Sequence, residues 1–356
     1  MKTWSDGVVE SWNVGSFRIR ASLQYSSSPI PRFRLCLALC AILFALSFPA
    51  NAQQPGKIFR IGFLDPSTAS GSAVLVDAFR QELSKLGWIE GKNFTIEYRF
   101  AENKGQDRLP ELVGDLVRLK VDLIVAGDTP ASLAAKKATT TIPIVMASAA
   151  DPEGVGLVAS LARPGGNATG FSNLAYELNT KRLEILKDVV PKLARVGLLK
   201  PVGGSERQLK QLRPAAQALQ LKLEEIETPV NATGLESAFQ TAKQKQVDAI
   251  MTTVGRPFFA ERKRIVELTV KHRFPAIYFQ KEFIDEDGLM SYGADYPDLF
   301  RRAAVYVDKI LKGAKPGDLP VQQATKFEFI INLKAAKQIG LMIPVRVLER
   351  ANQVIK

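Results

Sequence analysis

The sequence predicts an α/β protein of two doubly wound, Rossmann-like lobes joined by a multi-strand hinge. Three observations lead there. From Lys57 onward, short apolar runs alternate with amphipathic stretches of 12–16 residues, the pattern of βαβ units feeding a parallel sheet. The alternation restarts at Arg195. The two halves also share landmarks at near-constant spacing. Arg60-Ile-Gly-Phe-Leu64 overlays Arg195-Val-Gly-Leu-Leu199, Lys120-Val-Asp122 overlays Gln246-Val-Asp248, and Pro143-Ile-Val145 overlays Pro275-Ala-Ile277, at offsets of 135, 126 and 132.

Taken in order, the strand-like runs of the first half are 59–64, 94–100, 122–126 and 142–147, with helical stretches at 72–86, 108–119 and 130–139. A fifth run ends Gly170-Phe171-Ser172-Asn173. The second half offers strands at 195–199, 221–226, 248–253 and 276–279, and helices at 206–219, 235–246 and 259–272. Three pieces follow: a strand-like run at 288–294, an amphipathic helix at 298–311, and a tail at 326–340 and 345–353. They are too little for a third domain, so the chain is expected to return to the first lobe and end on the second. Lobe 1 is then 57–172 with 293–318, and lobe 2 is 173–292 with 319–356. Crossings fall near 171–178, 291–295 and 316–322, and a cleft hinged in this way favours a ligand.

The N-terminus reads as an address. An apolar run at 35–48, too short to span a bilayer, follows Arg32 and Arg34 and ends at Pro49-Ala-Asn-Ala52. This is the pattern of a secretory signal peptide occupying 1–52 and cleaved after Ala52, which places the rest in the periplasm. Cys36 and Cys40 leave with it, and 43 basic against 34 acidic residues remain, a charge of +9. A chain without cysteine and with one histidine, His272, offers no thiol chemistry, disulfide or Cys-based zinc site.

Catalytic signatures fail. Gly165-Gly-Asn-Ala-Thr-Gly170 has phosphate-loop glycine spacing, but Phe171-Ser172 follows where Lys-Ser/Thr is required, so it is a turn. Nucleophile-elbow, zinc-protease and dinucleotide fingerprints are absent. No enzyme activity, cofactor or metal is expected. The basic residues, among them Lys181-Arg182 and Arg262–Arg264, are interleaved with glutamate and read as solvated faces, not as a nucleic-acid surface.

In a doubly wound sheet the strand carboxyl ends face the ligand crevice, beside helix N-termini. In the first lobe this selects Ser67 and Thr68 in the loop after the first strand. After the third strand it selects Thr129, a candidate helix cap before Pro130, with the N–H groups of Ala131 and Ser132 placed to hold a carboxylate. Asp151 and Asn173 follow the next two runs. The second lobe adds Gly204, Thr253 and Arg256, and the return crossing adds Asp295. Opposed charges (Asp151, Asp295, Arg256) and aromatics (Tyr292, Tyr296) on facing rims suit a zwitterionic or aromatic small molecule.

Several segments, running from the first half nearly to the end of the chain, resemble a known family. They include Phe79-Arg-Gln-Glu-Leu…Leu86-Gly-Trp-Ile-Glu-Gly91, Thr139-Thr-Thr-Ile-Pro-Ile-Val145, and Asp151-Pro…Gly156-Leu-Val-Ala-Ser-Leu-Ala-Arg-Pro-Gly-Gly-Asn167, with Gly288-Leu-Met-Ser-Tyr-Gly293. The chain resembles ABC-transporter substrate-binding proteins of the tryptophan/tyrosine type, which are periplasmic binding proteins of type I related to branched-chain amino-acid binders. The resemblance implies a monomeric receptor that closes on a small solute and delivers it to a membrane permease and its ATPase. Use of the same fold to sense a ligand for a membrane receptor, without transport, is the alternative. Many relatives read Gly-Thr-Pro where this chain has Gly127-Asp128-Thr129-Pro130, which puts a carboxylate beside the expected carboxylate-binding helix end.

Overall fold

The computed structural model describes residues 57–102, 106–203 and 206–356, and the expected leader lies outside the described residues. Helical crossovers bring the strands of each half into one sheet. In the first, β1 (Phe59–Asp65), α1 (Ala69–Lys85), β2 (Phe94–Phe100), α2 (Leu109–Arg118), β3 (Leu123–Ala126), α3 (Thr129–Ala138), β4 (Ile144–Ala149) and β5 (Ala168–Ser172) follow in turn. The strands pair in parallel. β3, β4 and β5 are wholly buried, as parallel strands covered on both faces must be.

The second sheet is built from α4 (Glu177–Val189), β6 (Arg195–Pro201), α5 (Glu206–Ala218), β7 (Lys222–Thr228), α6 (Ala232–Gln244), β8 (Ala249–Thr252), α7 (Arg256–Ala260), α8 (Arg262–His272), β9 (Ala276–Tyr278) and β10 (Met290–Ala294). α9 (Tyr296–Leu311) then returns to the first lobe, where Leu299, Phe300, Ala303 and Val307 pack on Ile61, Phe63 and Phe79. β11 (Gln322–Gln323) joins the first sheet, giving the order β11-β5-β4-β3-β1-β2. β12 (Phe327–Asn332), α10 (Leu333–Ile339), α11 (Val345–Leu348) and β13 (Gln353–Ile355) complete the second, in the order β13-β12-β10-β9-β8-β6-β7. Within that sheet β12 runs antiparallel to β10. The two sheets, parallel but for the β10–β12 pairing, make this an α/β fold of two doubly wound lobes.

Three elements differ from expectation. Residues 177–189, whose start was read as the end of the first crossing and which were given no helix of their own, form α4, whose Leu183, Leu186 and Val189 enter the second core. The helix expected at 259–272 is broken at Glu261 into α7 and α8. The chain also stays with the first sheet beyond 318: Gln322 pairs with Phe171, and Val321 and Ala324 are buried there. The hydroxyls of Thr169 and Tyr306 hold this segment by donating to the carbonyls of Leu319 (2.6 Å) and Pro320 (2.7 Å). The last crossing therefore lies between Ala324 and Phe327.

Arg182, expected on a solvated face, is 2% exposed. Its Nε donates to the Tyr292 carbonyl (2.7 Å), and Nη1 donates to the Ala175 carbonyl (3.2 Å) and Asn179 Oδ1 (2.6 Å). Ala175 lies on the first crossing and Tyr292 on the strand that feeds the second, so one side chain clasps two of the three connections. Burial lowers the guanidinium pKa to about 10, which leaves it charged at neutral pH. The second and third crossings are joined by the Asp295 N–H on the Lys326 carbonyl (3.0 Å) and by Lys326 Nζ on Asp298 Oδ1 (2.7 Å).

Arg182→Ala leaves three buried acceptors without a donor, and the expected cost is about 3 kcal/mol or more in urea unfolding. Arg182→Lys should recover less than half of it, because an ammonium on a flexible stem cannot reproduce the fork. A loss below about 1 kcal/mol for the alanine variant would contradict the clasp.

Candidate ligand-binding cleft

A cleft of about 360 Å³ opens where the carboxyl ends of the two sheets face each other. Its first-lobe wall comes from the start of α1 (Gly71, Ser72, Leu75), the start of α3 (Asp128, Thr129, Pro130, Leu133) and the segment after β4. Its second-lobe wall comes from Val254, Gly255, Pro257 and Phe259, and from Phe279, Gln280 and Glu282 after β9. The crossings contribute Asn173, Ala175, Tyr176 and Tyr296.

Of the expected residues, Thr129 and Asn173 line the cleft, and both also carry structure. Thr129 Oγ1 accepts the Ala150 N–H (2.8 Å), tying α3 to the end of β4. Asn173 Nδ2 donates to Ser148 Oγ (2.9 Å) while its Oδ1 accepts the Ala175 N–H (2.9 Å), which shapes the first crossing. Ser67 and Thr68 stand one turn behind the wall. The Ser67 N–H donates to Asp65 Oδ1 (2.8 Å), and Thr68 Oγ1 caps α1 by accepting the Gly71 N–H (3.0 Å). Thr253 is buried behind Val254, with its N–H on the Leu199 carbonyl. Asp295 caps α9 through the Asp298 N–H (2.8 Å), and its neighbour Tyr296 is the lining residue. Tyr292 packs on Phe327 and Phe329 and not on the cleft. Gly204 and the side chain of Arg256 lie outside the described residues; the Arg256 backbone opens α7.

The Ala131 expectation is corrected. Ala131 is fully buried and its N–H donates to Asp128 Oδ1 (3.0 Å), while the Ser132 N–H donates to the Asp128 carbonyl (2.9 Å). Asp128, not Thr129, is the cap residue, with extended backbone at φ −152°. The end of the helix thus already holds a carboxylate of the protein's own. Gly127 makes room for the neighbouring Asp65 carboxylate, which a Cβ at 127 would strike.

Asp151 turns away from the cleft. Its Oδ2 pairs with Arg207 Nη1 of α5 across the two lobes (2.6 Å), and its Oδ1 accepts the Gly154 N–H (3.0 Å). Asp151 sits at φ +47°, and a Cβ on Gly154 would collide with both charged groups.

Sequence reasoning missed the aromatic wall of Tyr176, Phe259, Phe279 and Phe300, although Tyr296 was among the residues it picked out. Nor did it single out Glu282, in the turn after β9. Glu282 Oε2 is buried with no hydrogen-bond partner among the described residues. Burial pushes its carboxyl pKa up, an effect that its own backbone N–H and Lys281 oppose. Burial and the nearby Asp151 likewise push the Tyr176 phenol up. His272, outside the cleft lining, packs beside Phe239 and Phe274, its pKa lowered by burial and Lys271. Among the described residues no cluster could hold a metal ion, and no helix is long and apolar enough to cross a membrane.

The family model described as ABC transporter substrate binding protein matches residues 68–355. This chain belongs to that family. A tyrosine-binding protein of Clostridioides difficile is 27% identical over 265 residues, 74% of this chain and 75% of its own. Among solved structures, a conserved domain protein of Vibrio cholerae superposes with a TM-score of 0.77 at 27% identity. It covers 84% of this chain and 100% of its own. An ABC domain from Streptococcus pneumoniae in complex with L-Trp gives 0.76, with the same identity and coverage. The family is one of solute-binding proteins, not an enzyme class.

The interlobe ion pair is partly exposed and worth about 1 kcal/mol or less. Asp151→Asn, Arg207→Ala and Gly154→Ala should each lower stability by that order at low salt, and the first two together should cost no more than one alone. Additive losses in a double-mutant cycle would show that the pair does not form.

Proposed function

We propose that this chain is the extracytoplasmic receptor of an ABC import system, binding an aromatic amino acid or a close relative and delivering it to a membrane permease and its ATPase. The observation that carries the reading is the cleft wall: Tyr176, Phe259, Phe279, Tyr296 and Phe300 converge from both lobes and a crossing on one apolar space. Aromatic pairs add about 0.5–1.5 kcal/mol each beyond the area they bury, so such a wall rewards a flat ring over a sugar. Wall residues divided between lobes also give the ligand a differential hold on the closed state, which is what shifts a hinge equilibrium. The tyrosine- and tryptophan-binding relatives support the same ligand class, and the expected leader ending at Ala52 supports export. Residue by residue, the ligand contacts proposed are Thr129 and Asn173 at the cleft surface, with Phe279 and Tyr296 as ring partners. Ser67, Thr68, Asp151, Thr253 and Asp295 act as supports around them.

A thermal-shift screen of the chain from Gln53 tests this. L-tryptophan or L-tyrosine should raise the midpoint in a concentration-dependent way, by about 2.7 kcal/mol of stabilisation at 100 times the dissociation constant. Phe279→Ala should weaken that ligand about tenfold. A shift with sugars or aliphatic amino acids and none with aromatic ones would overturn the assignment.

A further inference from the structure

The first turns of α5 meet three parts of the molecule. Arg207 reaches the first lobe, where it pairs with Asp151 (2.6 Å). Leu209 and Leu212 enter the second core. Between Arg207 and Leu209 stands Gln208, only 4% exposed, so the helix gives a buried position to an amide beside leucines that fill the core.

That amide is engaged in a way that suits glutamine alone. β8 ends at Thr252, and the Thr253 N–H still donates to the Leu199 carbonyl. There the ladder stops, and the next residue, Val254, lines the cleft. Gln208 takes the place of a partner strand: its Oε1 accepts the Val254 N–H (2.8 Å) and its Nε2 donates to the Val254 carbonyl (2.7 Å). Leucine or methionine would offer neither bond, ionised glutamate would lack the donor, and asparagine is one methylene shorter.

On its other side Gln208 Oε1 accepts Asn179 Nδ2 (3.0 Å), and Asn179 Oδ1 accepts Arg182 Nη1 (2.6 Å). Asn179 is fully buried, and Arg182 is the side chain that clasps the crossings. An unbroken series of buried hydrogen bonds thus runs from the second-lobe wall of the cleft, through two side-chain amides, to the hinge. In such a series each member fixes the geometry of the next, because a break strands a buried donor or acceptor.

We propose that Gln208 is a positioning residue for ligand binding, which holds the Val254–Gly255 wall in its binding position and couples that wall to the hinge through Asn179 and Arg182. The inference rests on the aromatic-receptor reading and adds to it a residue that does not touch the ligand. Without the amide, the ligand itself has to order Val254 and Gly255, which weakens its binding.

The test is calorimetric titration of L-tryptophan and L-tyrosine into the purified wild type, Gln208→Met, Gln208→Glu and, as a control, Phe239→Leu, a substitution in the second core outside this series. Gln208→Met should weaken both ligands about tenfold or more. Gln208→Glu should bind about tenfold more weakly than wild type at about pH 8. At about pH 5 it should return to within about threefold of wild type at that pH, because burial raises its carboxyl pKa and the neutral acid again donates to the Val254 carbonyl. It also serves if the methionine variant does not fold. Phe239→Leu lowers stability by losing core volume and should leave affinity within about twofold of wild type. Combined with Arg182→Lys, Gln208→Met should weaken binding by less than the product of the two single effects. Unchanged affinity in the Gln208 variants, no recovery of Gln208→Glu at low pH, or an equal loss in Phe239→Leu overturns the positioning role and leaves the receptor reading standing. A full product with Arg182→Lys overturns the coupling to the hinge. Failure of the wild type to bind either amino acid overturns the aromatic-receptor reading and the Gln208 proposal with it.

Discussion

Three connections join two sheets, and the geometry of everything between the sheets depends on how those connections are held. Arg182 holds two of them. Its guanidinium is taken out of water and given backbone and amide oxygens in place of a carboxylate. Each of those oxygens would otherwise be a buried acceptor without a donor, so the arrangement fixes the crossing backbone as firmly as it fixes the arginine. The third connection is attached to the second through Lys326 and Asp298. The two cores are thus connected through one bundle of braced crossings.

From that hinge the chemistry of the cleft follows. Strand carboxyl ends meet strand carboxyl ends, which brings short loops and helix starts together. Most of their polar groups are already satisfied internally: Thr68 and Asp128 cap their helices, Thr129 and Asn173 brace neighbouring backbone, and Asp151 reaches across to Arg207. Among the described residues, the aromatic side chains of the wall are the broadest surface the cleft offers a ligand.

The repeating apolar and amphipathic alternation made the two-lobe plan legible, because buried parallel strands must be continuously apolar and their crossovers must be amphipathic. The return of α9 to the first lobe was legible from the amphipathic pattern of 298–311. What failed has local causes. Lys181-Arg182 looks like a hydrated pair, and only the crossing carbonyls that gather around Arg182 reveal its burial. Asp128-Thr129-Pro130 contains two capping residues in succession, and the sequence reading put the cap on Thr129; the structure has Asp128 as the cap, which uses the Ala131 N–H. The sequence offered no way to tell that Phe283 would pin a one-turn helix and place Glu282 in the wall. Gln322–Gln323 form too short a strand for periodicity to detect.

A crystal structure of the protein with L-tryptophan bound would test the account most directly. The account predicts the indole between Tyr176, Phe279 and Tyr296. An indole bound elsewhere on the molecule, with these three rings uncovered, would contradict it.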